Sequence, residues 1–378
     1  MASGAVQSTV VAPVPWFPFE NDFFGEYARH ARAPREETRS GIRVLHPRYF
    51  LLPKVSMTTA PALLAAAALP VLRKVVAQGH DFDLIDAHCF YPDGVAAAWL
   101  GRRLGKPVVI TARGTDLNLI PQYPLPRRMI QWAARESARM VTVCKALKDS
   151  LVALGVEPER VEVLRNGVDL QRFHPVDRAA RRVELGLDRR TLLSVGVLLP
   201  RKGHDLVIAA LPMLPDVSLL VAGEGPEEGN LKALARRLNV DQRVRFLGAL
   251  PQARLRDYYG AADALVLASS REGWANVLLE SMACGTPVVA SDVWGTPEVV
   301  AAPEAGLLME ERTPEALARA VRRLFQDYPD HGATRRYAER FSWDDTTRGQ
   351  LELFERILSD ATDRRRTVSG SRFPGETA

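Results

Sequence analysis

The chain has 378 residues, 47% hydrophobic and 25% charged, with a net charge of +5. This excludes wholesale disorder, and so balanced a charge gives no warrant for a nucleic-acid binder. Three cysteines (Cys89, Cys144 and Cys284) are too few and too scattered for a disulfide framework or a zinc site, which fits a reducing, cytoplasmic setting.

At roughly 100–200 residues per domain, two domains are expected. The opening MASGAVQST lacks a charged region followed by a sustained apolar core, so no signal peptide is read. STVVAPV reads as the first strand. The longest apolar run, Pro61 to Leu72, falls short of the ~18–20 residues of a bilayer crossing and contains Pro70, so no membrane span is expected. DLIDAH, PVVITA and MVTVC follow as strands, with GVAAAWLGRRLG and RRMIQWAARESA as helices. Arg127 and Arg128 at the head of the latter, and Arg73 with Lys74, leave peripheral contact with a lipid surface open. A solvated helix face packed on a sheet is the simpler reading.

The pattern pauses over the charged, turn-rich stretch Arg165 to Arg190, which places a domain junction near Asn166 to Pro175. The second half alternates the strands TLLSVGV, SLLVAGE, RVRFLG, ALVLAS and TPVVASD with the helices HDLVIAALPML, EGNLKALARRLN, ARLRDYYGAA and ANVLLESMACG. Near-continuous apolar strands alternating with helices argue for parallel sheets covered on both faces. The expected class is α/β, with two doubly wound Rossmann-like domains facing across a cleft and ligands held at the carboxyl ends of the strands. The boundaries are 1–168 for an N-terminal domain and 169–345 for a C-terminal domain, then a closing helix over 346–360 and a disordered tail over 361–378.

The richest stretch in chemistry is Ser269 to Val300, where a strand enters a loop with Glu272 and Gly273 and a helix begins near Asn276, carrying Glu280. Free N–H groups at a helix start hold anions such as a diphosphate, and Gly273 lets backbone come close to a ligand. Glu272 and Glu280 would repel phosphate and suit sugar or ribose hydroxyls, since each carboxylate accepts two hydrogen bonds from a diol. Taken alone, two glutamates eight apart fit a solvated helix face better. SVGVLLPRKGH carries Gly196, Arg201, Lys202 and Gly203 after a strand, and a cation there suits phosphate neutralisation. VAGEG carries Gly223 and Gly225 at another strand end, without the full dinucleotide fingerprint.

In this order and spacing, NGVDLQRFHP, SVGVLLPRKG, VAGEGPEE, RVRFLG and above all EGWANVLLESMACGTPVVAS resemble the GT-B glycosyltransferases of family 4, over about Thr9 to Leu358. RGTDLNLIPQYPLPRRMIQWAARESARMVTVCKAL is similar to the bacterial subgroup that builds cell-surface polysaccharides, teichuronic-acid-type transferases among them. The resemblance implies that Glu272 opens a Glu-x7-Glu motif and contacts the donor sugar, that Glu280 closes it and holds the nucleotide ribose, and that Lys202 binds the donor diphosphate. Val197 stands where the family usually has an arginine, with Arg201 as the candidate substitute. Gly273, Trp274, Ala275 and Asn276 would turn backbone amides toward sugar and phosphate. Gly196, Gly223, Gly225 and the Leu247–Gly248 corner would border the nucleotide. Arg113, Gly114, Thr115 and Asp116 occupy the place of a His-Gly motif at the reacting centre. His88, at a strand end, is either cleft-facing or a structural histidine.

The implied reaction is sugar transfer from a nucleotide-sugar donor to a saccharide or lipid-linked acceptor, with retention of anomeric configuration. No cofactor, metal or nucleic acid is expected. The implied setting is cell-surface polysaccharide or glycolipid synthesis, in the cytoplasm or peripherally on the inner face of the plasma membrane. Relatives begin with a strand, a Gly-rich loop and a helix ahead of the segment matching STVVAPVPWFP. Roughly 40–60 residues of that pattern are unmatched here, which implies an incomplete N-terminal domain with a sheet edge exposed or differently paired. The competing readings are a non-catalytic nucleotide-sugar-binding protein and a GT-B nucleotide-sugar epimerase.

Overall fold

A computed structural model describes residues 4–21, 23, 26–50 and 56–370. The chain divides into two units. The first comprises Met1–Val141, Leu151–Glu162 and Leu353–Ala378, and the second Thr142–Ser150 and Val163–Glu352.

In the first unit, proline dictates the opening. β1 (Thr9–Val11) and β2 (Val14–Pro15) replace the single strand expected over STVVAPV. After β3 (Glu36–Arg39), β4 (Ile42–Leu45) and β5 (Arg48–Tyr49) are interrupted at the matching place. β1 runs parallel to β4 and β2 to β5 in one continuous register, Thr9 opposite Arg43 and Val14 opposite Arg48. Pro13 and Pro47 stand at the break, and neither has an N–H for the ladder. β3 and β4 form an antiparallel hairpin unread in the sequence; its turn residues Ser40 and Gly41 both have positive φ, at 49° and 78°.

β6 (Ile85–His88), β7 (Val108–Ala112), β8 (Arg139–Thr142) and β9 (Val161–Val163) form a four-stranded sheet in that order. β6 and β7 are parallel, with His88 opposite Thr111, so both strands deliver their last residues to the same end. The helix Pro124–Glu136 buries Ile130, Ala133 and Ala134 and leaves Arg127 and Arg128 exposed, as either a solvated face or a lipid-surface contact requires.

One expectation is corrected here. The helix Ser56–Ala77 contains Met57–Ala77, a stretch long and apolar enough by length and composition to cross a membrane. The apolar run ends at Leu72 because Arg73 and Lys74 follow, yet the helix continues through them and holds both Pro61 and Pro70. Ala60, Leu64, Ala68 and Val75 fall on one helical face and are buried.

The second unit holds one six-stranded sheet: β10 (Arg190–Val195), β11 (Val217–Ala222), β12 (Val244–Gly248), β13 (Ala264–Leu267), β14 (Val288–Ser291) and β15 (Gly306–Met309). Every pairing is parallel and the order is β12-β11-β10-β13-β14-β15. Leu192, Val221, Ala264, Val266 and Val289 of the central strands pack in one core with Val207, Ile208, Leu317 and Val321 of the covering helices. Two neighbouring strands, β10 and β13, lead in opposite directions across the sheet, which makes their carboxyl ends the switch point. A single helix, Trp343–Gly370, covers the expected closing helix and continues through 361–370, read from sequence as tail; 371–378 lie outside the described residues.

Gly101 lies in the helix Val95–Leu104, where an added Cβ would stand 2.2 Å from Val108 Cγ2 and 2.8 Å from the Lys106 carbonyl oxygen. Gly101→Ala is expected to destabilise the protein by about 1–3 kcal/mol through overpacking, read as a lower midpoint in urea. An unchanged midpoint would show that helix and strand separate freely.

Candidate active site

The loops leaving β10 to β14 are tied to one another through their backbones. Gly223 N–H donates to Gly248 O at 2.8 Å, Leu198 N–H to Glu224 O at 2.9 Å and Ser270 N–H to Arg201 O at 2.8 Å. Close approach requires glycine. A Cβ on Gly223, whose φ is +146°, would lie 1.9 Å from Gly196 O; one on Gly203, at +72°, would lie 2.0 Å from Ala268 O. Gly225 sits against Leu198 O, and Gly273 O against Gly295. Gly196, Gly223, Gly225, Leu247 with Gly248, Arg201 and Gly273 are therefore brought into one connected rim.

Lys202 and Glu272 meet at the switch point. Lys202 Nζ lies 2.5 Å from Glu272 Oε1, with the two side chains 15% and 10% exposed. Ser269 Oγ, missed in the sequence, donates to the same Oε1 at 2.7 Å. The lysine stem lies over Gly196, 3.6 Å from where a Cβ would stand. Behind it, His204 Nδ1 is 2.8 Å from Ser194 Oγ and the residue is 2% exposed. Burial, helped by the charge of Lys202, pulls the His204 pKa down to about 4, so the ring is neutral.

The helix Asn276–Ala283 starts without a side-chain cap, leaving its positive end for an anion. Glu280 lies one turn in. Tyr259, fully buried, donates its hydroxyl to Glu280 Oε2 at 2.9 Å. Burial pushes the Glu280 carboxyl above its ordinary range, opposed by the Tyr259 hydrogen bond and the charge of Arg172. Glu280 and Asn276 line a cavity of about 540 Å³ together with Gly167, Asp169, Arg172 and Trp343. Tyr259 and Arg172 were visible in sequence only as members of a helix and of NGVDLQRFHP; nothing local marks them as partners of Glu280. Trp274 contributes differently from its neighbours: its indole is buried against Phe341, ring centroids 6.0 Å apart, while Ala275 is the residue preceding the helix.

In the first unit, His88 and Arg113 also come together. Arg113 Nη2 lies 2.6 Å from His88 Nδ1. A guanidinium only donates, so Nδ1 accepts and the ring proton sits on Nε2, 3.3 Å from Asp86 Oδ2. Asp116, expected among the binding residues, is placed by the fold against the backbone of two loops. It is 4% exposed and accepts from the backbone N–H groups of Phe90 (2.6 Å), Arg113 (3.2 Å) and Gly114 (2.7 Å), tying the loop after β7 to the loop after β6. Asp81-Phe82-Asp83 is an Asp-x-Asp triplet just ahead of β6, and Asp81 pairs with Lys106 at 2.8 Å.

Residues 12–172 match the family described as Glycosyltransferase Family 4, and residues 177–341 that described as Glycosyl transferases group 1. The chain is 34% identical over 325 residues to the D-inositol 3-phosphate glycosyltransferase of Segniliparus rotundus, covering 79% of this chain and 72% of that protein. In structure it is similar to the sucrose-phosphate synthase of Thermosynechococcus elongatus, with a TM-score of 0.75, 22% identity and 87% of each chain covered. It is also similar to HepE of Anabaena in complex with UDP, with a TM-score of 0.71, 21% identity and 91% of each chain covered, and to the same protein in complex with UDP-glucose, at 0.65, 21%, and 94% and 91% covered.

His204 makes stability depend on pH. The unfolded chain takes up a proton near pH 6.5 that the folded state refuses until about 4. Stability is therefore present above pH 6.5 and lost as pH falls through that window, by about 3 kcal/mol in order of magnitude. Denaturant titrations at pH 7 and 4.5 are expected to show a smaller loss in His204→Gln than in the wild type. Equal losses would remove His204 as the cause.

Proposed function

Because this chain belongs to the group 1, family 4 glycosyltransferases, and has their GT-B fold, we propose that it moves a sugar from a nucleotide-sugar to an acceptor hydroxyl with retention of anomeric configuration. The acceptor is a saccharide or lipid-linked saccharide, and the product a cell-surface polysaccharide or glycolipid made on the cytoplasmic side of the membrane. The similarity to a D-inositol 3-phosphate glycosyltransferase, and to a protein solved with UDP and UDP-glucose, supports this class of donor and reaction.

The observation that carries the reading is the meeting of Lys202 and Glu272 at 2.5 Å on the switch point, beside the uncapped helix start at Asn276. As the glycosidic bond to phosphate breaks, negative charge grows on the leaving diphosphate. Lys202 and the helix start stabilise that charge, with Arg201 beside them. Glu272 accepts hydrogen bonds from donor-sugar hydroxyls, and Glu280, opening on the cavity, accepts them from the ribose diol. His88 and Arg113 lie at the carboxyl ends of β6 and β7, where they serve the acceptor side. The exposed Arg127 and Arg128 support a peripheral, electrostatic contact with an anionic membrane surface.

Incubation with a panel of nucleotide-sugars and saccharide acceptors, with the product linkage read by NMR, tests the reading. A retained anomeric configuration is expected; an inverted product, or epimerised donor without transfer, would overturn it. Lys202→Ala is expected to lower turnover by about 10²–10³-fold with an unchanged circular dichroism spectrum. Glu280→Gln is expected chiefly to weaken nucleotide binding, by about tenfold in a calorimetric titration.

A further inference from the structure

The contact between Lys202 and Glu272 does more than place two binding groups side by side. Lys202 Nζ, assigned above to the donor diphosphate, is already bonded to a carboxylate at 2.5 Å. That carboxylate is itself held, because Glu272 Oε1 also accepts from Ser269 Oγ at 2.7 Å. The lysine stem passes over Gly196, 3.6 Å from where a Cβ would stand, so the absent side chain leaves room for it to reach Glu272. Both partners are largely shielded from water, where an attached anion cancels most of the charge that an incoming anion would meet.

We propose that Glu272 is an internal counter-anion that competes with the diphosphate for Lys202, so that the site favours the intact nucleotide-sugar over the bare nucleoside diphosphate. The proposal rests on the reading of Lys202 as the diphosphate ligand. A diphosphate that reaches Nζ draws the ammonium away from Glu272 and leaves a shielded carboxylate short of a hydrogen-bond donor. The hydroxyls of the donor sugar replace that lost donor. The nucleoside diphosphate left after transfer lacks those sugar hydroxyls, its ribose diol being held at Glu280, and Glu272 recaptures Lys202 as the diphosphate departs. Glu272 thereby helps recognise the sugar and helps expel the product through one carboxylate. No covalent step is involved.

Inorganic pyrophosphate, which needs no knowledge of the base, is the first probe, with UDP and UDP-glucose as the second, all titrated calorimetrically into the full chain. Glu272→Gln is expected to bind pyrophosphate about tenfold more tightly than the wild type and to lose any preference for UDP-glucose over UDP. Glu272→Asp, which keeps the charge but draws it back by one methylene, is expected to fall between the two, and it carries the test if Glu272→Gln does not fold. Lys202→Met is expected to abolish the gain in either background. If pyrophosphate binds Glu272→Gln and Glu272→Asp no more tightly than the wild type, while Lys202→Met still weakens wild-type binding, the counter-anion role is overturned and the diphosphate reading survives. Pyrophosphate binding indifferent to Lys202→Met would overturn that reading, and this inference with it.

Discussion

Between β10 and β13 the sheet of the second unit reverses its direction of winding, and the chemistry is arranged around that reversal. Elsewhere in a parallel sheet, each strand-end loop crosses toward a neighbour and crowds the next one. At the reversal the loops after β10 and β13 lead apart, leaving room above the strand ends. Lys202 comes from one of these loops and Glu272 from the other, and their ion pair spans the reversal. A cation and a carboxylate separated by 70 residues of chain become neighbours because parallel strands deliver all their carboxyl ends to one side.

Holding the loops at that distance needs an absence of side chains. Gly203 allows the turn carrying Lys202 to press against Ala268, and Gly223 allows the loop after β11 to press against Gly196. Each contact would be closed by a single Cβ. The glycines of the strand-end motifs therefore act as packing elements as much as ligand-approach positions. His204 completes the support. It is kept neutral by burial and held at Ser194, so no second positive charge stands behind Lys202.

The first unit uses a different device at the equivalent strand ends. Asp116 gathers three backbone N–H groups from the loops after β6 and β7, and this fixes where His88 and Arg113 begin. Their side chains then complete a line from Asp86 through His88 to Arg113, in which the guanidinium fixes the imidazole tautomer. A buried carboxylate thus holds the two loops from which these exposed groups project.

Five of the six strands of the second unit, β10 to β14, follow from the residues alone, whereas β15 is not among the expected strands. The unit's strands are apolar runs of four to six residues, and a strand buried on both faces has no alternative composition. The motif residues were legible too, because glycine, lysine and glutamate at strand ends carry chemistry that core positions do not tolerate. The short strands β1 to β5 were harder: Pro13 and Pro47 cut them below the length at which alternation can be read, and the Ser40–Gly41 turn carries the only local sign of the hairpin. The apolar run within the helix Ser56–Ala77 ends at the charged pair Arg73 and Lys74, which the helix continues through. Pairing was beyond the sequence. Which carboxylate Tyr259 would meet, that Asp116 would turn to backbone amides, and that Lys202 would lie against Glu272 depend on distances across the fold, and one-dimensional order carries no such distances. Residue type determined what each group can do; only the tertiary structure decided which partner it does it with.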